Sequence, residues 1–487
     1  MEILKNNFVN AVKDLCDSKF TDNGAFAYST TGSKVLNLFC LIGTMRQLSE
    51  GEIIEKYLAA RAEDKELTDN IILYARNIRD GGLGERKISR IMLKELATID
   101  PSKVARNIDT IVKAGRWDDI YALENTPCDY LIWKTIKKQL NSDLINLRNN
   151  QPISLLAKWL PSINASSKET KRLGKKTALM IGYTEKQYRK VLSKLRNYLR
   201  IVERQMSAQQ WQDINFELVP SLAMLRYTSA FEKKCANEFQ QYQEDLKNQK
   251  TSIKTTGLYP YNILERFFDG DKWSNIYEEQ WKGLPNFINN DIQAIVMADV
   301  SGSMYTKPMA SSVGLGIYFA EHNQGAYHNL LMTFSENPRF INLDGLDTLY
   351  DKCNHILQPQ YIGYNTNLDR GFEAIFNIAK DTHEVPKSLI VISDMEIDAY
   401  CQRYSCEDIV NKWVTAFNEI GLQMPKLILW NVQSTFSDTV LSKAGNPYIS
   451  YCSGYSISTF QYLTTLIDKG AMDSMRDILS QPQFQWK

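Results

Sequence analysis

At 487 residues the chain is too long for one comfortable core, so two or three domains are expected. Its 44% hydrophobic and 23% charged residues are ordinary for a globular protein and exclude wholesale disorder. The net charge of +1 hides an asymmetry: residues 1–290 hold 44 Lys and Arg against 35 Asp and Glu, whereas residues 291–487 hold 13 against 21. A basic first part and an acidic second part point to separate domains and to a polyanionic partner for the basic one.

The first residues, Met1 to Asp14, carry Lys5 and Lys13 among polar residues and lack the apolar core of a signal peptide. The apolar run Leu36–Met45 is far short of the roughly 20 residues that a membrane span needs. A cytoplasmic protein with no membrane partner is expected, virion-associated if phage-encoded. The eight cysteines are scattered, so reduced thiols are expected rather than a disulfide framework. The four histidines form no metal pair, which argues against zinc chemistry.

Residues 1–246 read as helix after helix, with no alternating β pattern and no fixed-period repeat. An all-α, helical-repeat-like scaffold is expected there. In one helix Tyr188, Val191, Leu192, Leu195, Tyr198, Leu199 and Val202 recur at helical spacing. The opposite face carries Lys186, Arg189, Lys190, Lys194, Arg196, Arg200 and Arg204. Residues 158–204 hold 13 Lys and Arg against 3 Glu, interleaved with Trp159, Tyr183, Tyr188 and Tyr198. Charge runs are often only solvated surface. The functional reading is a phosphate-tracking surface on Lys186, Arg189, Lys190, Lys194 and Arg200, with RNA as the expected partner. Gly81-Gly82-x-Gly84 lacks the rest of a dinucleotide fingerprint and reads as a turn, with Arg79, Arg86 and Lys87 as candidate phosphate contacts. Residues 247–290, interrupted by Gly257, Pro260, Gly270 and Gly283, read as a linker-like connection.

From Asp291 the texture changes. Short apolar runs at Ile292–Val300, Tyr327–Phe334, Ser388–Ser393, Lys426–Val432 and Tyr448–Tyr451 read as strands. Helical stretches near 307–322, 368–380, 406–420 and 457–468 alternate with them. Residues 291–487 are therefore expected to form a doubly wound, Rossmann-like sheet, making the chain a multidomain α plus α/β protein.

Ligands of such sheets gather where strands end. The first run ends in Asp299-Val300-Ser301-Gly302-Ser303, and the third ends in Ser393-Asp394. Between them Gly363-Tyr364-Asn365-Thr366-Asn367 leads into a helix. Asp299, Ser301, Ser303, Thr366 and Asp394 offer carboxylate and hydroxyl oxygens, the hard ligands that Mg²⁺ prefers, with Mn²⁺ or Ca²⁺ as alternatives.

Asp299-x-Ser301-x-Ser303, Thr366 and Asp394 resemble the metal-ion-dependent adhesion site of von Willebrand A domains. The resemblance covers about 200 residues. It implies that the hydroxyls and aspartates hold the ion, directly or through water, and that a protein partner's Asp or Glu completes its shell. Asn365 departs from the glycine that many members place beside the threonine. A second resemblance is carried by Arg79-Asp80-Gly81-Gly82-Leu83-Gly84-Glu85-Arg86, Gly115-Arg116-Trp117-Asp118-Asp119, Ala157-Lys158-Trp159-Leu160-Pro161-Ser162 and Val219-Pro220-Ser221. These look like the markers of an uncharacterised family that joins a helical region to a C-terminal von Willebrand A domain, in bacteria, phages, giant viruses and plants. Ser393-Asp394-Met395-Glu396 is similar to that family's third metal loop. The architecture is similar to the Ro autoantigen (TROVE) family, which implies binding of small structured RNAs.

No nucleophile elbow or P-loop is present, so a non-enzymatic protein is expected, with no catalytic residue. Glu396 and Asp398 are read as shaping the rim of the metal face. The leading expectation is an RNA-binding ribonucleoprotein component with a Mg²⁺-dependent adhesion site. The alternative is a metal-dependent protein–protein adhesion or assembly subunit, with a phage or viral structural component as one form of it.

Overall fold

The structure, a computed structural model, describes residues 18–20, 26–199, 201–286, 288, 293–363, 366–395, 406–433, 446–456, 466 and 469–487. It divides into two compact units. The first comprises residues 1–85 and 255–484, and the second residues 86–254 and 485–487.

The first unit is built on a six-stranded sheet. Its strands are β3 (Ala294–Asp299), β4 (Leu330–Phe334), β5 (Phe340–Asn342), β6 (Ser388–Ser393), β7 (Lys426–Asn431) and β8 (Ile449–Ser453), in the order β5-β4-β3-β6-β7-β8. All pairs are parallel except β4 with β5. A hairpin of β1 (Ser18–Phe20) and β2 (Phe26–Tyr28) lies in the N-terminal segment of this unit, where no β structure is expected from the sequence. Every residue of β3, β6, β7 and β8 is buried, as continuous apolar runs demand of strands covered on both faces.

Two glycines show how the layers close. A Cβ added at Gly316, in helix Lys307–His322, would lie 3.4 Å from Ala298 Cβ. One added at Gly371, in helix Leu368–Thr382, would strike Met297 Cε at 2.1 Å. Ala298 and Met297 are successive strand residues and point to opposite faces, so the two helices cover opposite faces of β3. The α/β expectation for the C-terminal part holds on this geometry. Helix Cys406–Glu419 also agrees with the sequence, whereas 457–465 and 467–468 lie outside the described residues.

The expected boundaries fall differently. Residues 34–85, read as the start of the helical scaffold, pack with the sheet. The turn after helix Lys34–Leu41 meets the exit of β8 so closely that a Cβ on Gly43 would lie 2.4 Å from Gly454 N. Helix Lys65–Arg76 joins helix Ala471–Leu479, where Asn70 donates to Leu479 O at 3.4 Å. Tyr74 lies between the rings of Phe39 and Phe484, with centroids 5.0 and 5.4 Å away. The linker-like zone contains two helices, Pro260–Phe268 and Asn275–Lys282. Pro260 starts the first and Gly270, at φ +71°, follows its end, so these residues punctuate helices rather than prevent them. Helix Pro260–Phe268 seats on helix Lys307–His322, where a Cβ on Gly314 would be 3.1 Å from Pro260 Cβ.

The second unit is all-α among its described residues. Its longer helices are Arg86–Ile99, Asp129–Arg148, Lys168–Met180, Glu185–Tyr198, Ser221–Lys234 and Ala236–Lys247. Phe216, Phe231, Phe239 and Tyr242 form one aromatic cluster of its core, with neighbouring centroids 5.0–5.5 Å apart. No helix among the described residues is long and apolar enough to cross a membrane. The six described cysteines, 40, 128, 235, 353, 406 and 452, are free and buried.

Candidate metal centre and nucleic-acid surface

β3 and β6 are neighbours in register, Ala298 opposite Ile392, so their ends deliver Asp299 and Asp394 side by side at one edge of the sheet. Asp299 is fully buried and Asp394 nearly so, at 0% and 3% exposed. Asp299 Oδ1 accepts the Ser301 N–H at 2.9 Å, which closes the tight turn through Gly302. Asp299 Oδ2 accepts from the Ser393 hydroxyl at 2.6 Å, and that hydroxyl is also 3.4 Å from Asp394 Oδ1. Ser301 Oγ and Ser303 Oγ are 3.1 Å apart. Ser301 is buried and Ser303 exposed, so the hydroxyl pair runs from the acids toward solvent.

Thr366 is buried on the loop before helix Leu368–Thr382. That loop is fixed to the end of β4 by the Asn367 N–H, which donates to Ser335 O at 3.3 Å. A Cβ on Gly363 would lie 2.5 Å from Ser335 Cβ, so the loop can approach the strand only with glycine there. The loop's Tyr364 and Asn365 lie outside the described residues, as do Glu396 and Asp398.

Burial, and then the negative charge of Asp394, push the Asp299 carboxyl up from 3.8 to about 7, against the hydrogen bonds of Ser301 and Ser393. The groups that set this shift include no cationic side chain. Two buried carboxylates with hydroxyls around them form an all-oxygen set short of positive charge, which fits Mg²⁺, Mn²⁺ or Ca²⁺. Among the described residues no group of three His, Cys, Asp or Glu side chains is placed to hold a metal, so the hydroxyls are essential to this fit. Ser393, part of the third loop in the sequence but not among the expected ligands, is the residue the structure adds. It ends β6 beside Asp394, and its hydroxyl spans the two acids.

A second cluster lies in the same unit. Glu85 receives the Arg46 guanidinium, with Nε at 3.0 Å. Arg46 Cζ lies 4.3 Å from the Tyr455 ring centroid, and Lys307 Nζ lies 4.3 and 4.4 Å from those of Tyr455 and Tyr261. The glycine run that precedes Glu85 is a turn, as expected. Gly81 and Gly84 have φ of +93° and +73°, and a Cβ on Gly82 would be 2.3 Å from Tyr74 O. Its Gly82 carbonyl accepts from Ser456 Oγ at 3.0 Å, so the turn braces the exit of β8.

In the second unit, helix Glu185–Tyr198 begins with a capping box between Thr184 and Gln187. It buries Tyr188, Leu192 and Leu195 and exposes Lys186, Arg189, Lys190 and Lys194. None of these four makes an ion pair or a side-chain hydrogen bond among the described residues. Arg200 lies outside the described residues. Two neighbours depart from expectation. Tyr198 is 37% exposed rather than buried. Arg196 turns inward: Nε donates to Ala157 O at 2.7 Å, Nη1 to Ser162 Oγ at 2.8 Å and Nη2 to Leu160 O at 2.6 Å. Arg196 therefore braces the Ala157–Ser162 loop instead of facing solvent.

That loop meets the Gly115–Asp119 segment, for Arg116 Cζ lies 3.8 Å from the Trp159 ring centroid. Arg116 and Arg90 converge on Asp118, and Arg90 also reaches Asp119 at 2.6 Å. Two of the sequence motifs thus form one folded junction.

Two family models match the chain. One describes a domain of unknown function, DUF7788, over residues 293–484, and the other a domain of unknown function, DUF2828, over residues 165–291. The first coincides with the sheet and the edge that carries Asp299 and Asp394. The second includes the basic helix and the two helices that return to the first unit. Uncharacterized protein L728 of Acanthamoeba polyphaga mimivirus is 27% identical over 510 residues, which cover 96% of this chain and 88% of that one. The Ro (RSR) protein of Deinococcus radiodurans aligns with 92% of this chain and 99% of its own, at a TM-score of 0.49 and 13% identity.

Proposed function

We propose that this protein is a non-enzymatic nucleic-acid-binding scaffold, an RNA-binding component of a ribonucleoprotein, which also carries a Mg²⁺-dependent adhesion site. The observation that carries the reading is the exposed set Lys186, Arg189, Lys190 and Lys194, whose charges meet no carboxylate within ion-pair distance among the described residues. Such a face gains affinity by releasing phosphate counterions. RNA is preferred to duplex DNA because the half-buried Trp159 and Tyr183 beside this face would add contacts to unpaired bases.

The test is direct. Purified protein should carry nuclease-sensitive ultraviolet absorbance and bind labelled single-stranded RNA by fluorescence anisotropy. Reversing the four cations to Glu should weaken that binding at least tenfold. A wild type that binds neither RNA nor duplex DNA at moderate salt removes the reading.

A second reading is favoured by the Asp299–Asp394 pair: an assembly subunit that grips a partner through the ion. A divalent ion, when bound, supplies the positive charge that a partner's Asp or Glu completes. A relative in mimivirus is in keeping with a viral setting for this reading. Chelator should then release the protein partner and leave nucleic-acid binding in place.

A further inference from the structure

The basic helix borders a groove that only Arg189 of the four exposed cations lines. Its volume is about 920 Å³, and its walls are the Trp159–Ala165 segment and one flank of helix Glu185–Tyr198. It runs into a neighbouring cavity of about 400 Å³, the two sharing Lys158, Ile201, Glu203 and Arg204. Lys158, Arg189, Arg196 and Arg204 all line it, and Glu203 is its one acid among the described residues.

None of these four cations has a carboxylate within ion-pair distance among the described residues. Arg196 spends its donors on Ala157 O, Leu160 O and Ser162 Oγ, which satisfy its hydrogen bonds but not its charge. Arg204 donates to Ser193 O at 2.8 Å, again a neutral acceptor. Lys158 Nζ lies 5.5 Å from the Trp159 ring centroid and makes no hydrogen bond among the described residues. A concave wall of unneutralised cations focuses positive potential inward. Leu192, Ile201 and Trp159, whose ring carries Arg116 Cζ at 3.8 Å over it, give the same groove apolar surface. Positive charge with an aromatic and aliphatic floor, at a volume typical of small-ligand pockets, matches one phosphorylated, base-bearing unit and excludes a duplex.

We infer that this groove binds a nucleotide through its phosphate and its base, either as a free mononucleotide or as an unpaired unit of a strand. The inference rests on the nucleic-acid reading above and assigns it a concave site apart from the convex face of Lys186, Lys190 and Lys194. Lys158 and Arg204 would hold the phosphate, and the Trp159 side of the groove would receive the base.

The experiment uses the full chain, with calorimetry and anisotropy on AMP, adenosine, inorganic phosphate, a single-stranded RNA octamer and a blunt RNA duplex. The variants are Lys158→Met with Arg204→Met, Lys158→Met alone in case the pair perturbs folding, and Lys186→Glu with Lys190→Glu and Lys194→Glu. The wild type should bind AMP more tightly than adenosine or phosphate, and the octamer more tightly than the duplex. Both groove variants should weaken AMP and octamer binding, the double variant at least tenfold, with circular dichroism unchanged. The face variant should keep AMP binding while losing long-strand affinity. AMP binding without octamer binding would place a free mononucleotide in the groove and keep the inference. Groove variants that bind the octamer and AMP like wild type would overturn it, and the loss seen in the face variant would still uphold the nucleic-acid reading.

Discussion

The Ser393 hydroxyl donates to Asp299 Oδ2 at 2.6 Å, and through it the ends of β6 and β3 are tied at the point where both present acids. The bond occupies the carboxylate oxygen not used by the Ser301 N–H. Ser393→Ala would leave that buried oxygen without its donor, at a cost of about 1–3 kcal/mol. The expected result is a lower midpoint of unfolding in metal-free buffer, with part of the loss recovered by Mg²⁺. A variant as stable as wild type would show that the bond holds nothing.

The pH dependence of the candidate metal centre follows from the raised Asp299 carboxyl. Its folded value of about 7 lies above the ordinary 3.8, so the neutral acid is favoured by folding. Its stabilising contribution is full below about pH 3.8 and is lost as pH rises through 7. A metal ligand must be deprotonated, so Mg²⁺ binding has the opposite slope. Between pH 6 and pH 8 the ionised fraction of such a group rises about tenfold, and Mg²⁺ affinity should rise with it. Calorimetric titration at both pH values checks this, and Asp299→Ala should abolish the signal. Equal affinity at pH 6 and pH 8 would contradict the assignment.

Arg196 and Lys194 are two residues apart on one helix but have opposite roles. Arg196→Ala removes three hydrogen bonds from the Ala157–Ser162 loop and should cost about 2–4 kcal/mol. Arg196→Lys should recover little, since an ammonium cannot reproduce the planar fork. Lys194→Ala, on the exposed face, should change stability by less than about 0.5 kcal/mol. Thermal denaturation of the three variants separates these expectations. Similar losses in all three would refute the distinction.

Strands β3, β6 and β7 are legible in the sequence because strands buried on both faces are continuous apolar runs, and their acidic ends stand out. β5 is not legible, since of its three residues only Ile341 is buried. Periodicity shows which face of a helix is apolar but not what covers it. That is why residues 34–85 read as scaffold, although the Gly43 N–H reaches Ser453 Oγ and Asn70 reaches Leu479 O across some 410 residues. Arg196 was unreadable for a related reason. It stands four residues from Leu192, on the flank of the buried stripe, where a long side chain can turn either way. The candidate metal ligands Asp299, Ser301, Ser303 and Asp394 are legible because a strand end fixes where they sit. Ser393, which joins the acids, gives a single hydroxyl signal that only the β3–β6 pairing explains.

The nucleic-acid claim is tested most directly by the salt dependence of wild-type binding to a single-stranded RNA. If Lys186, Arg189, Lys190 and Lys194 each neutralise a phosphate, the logarithm of affinity should fall against the logarithm of salt with a slope of about −3. Reversing all four to Glu should flatten the slope by about that amount. Binding that is absent at low salt, or whose slope is near zero and unchanged by the reversal, would contradict the account.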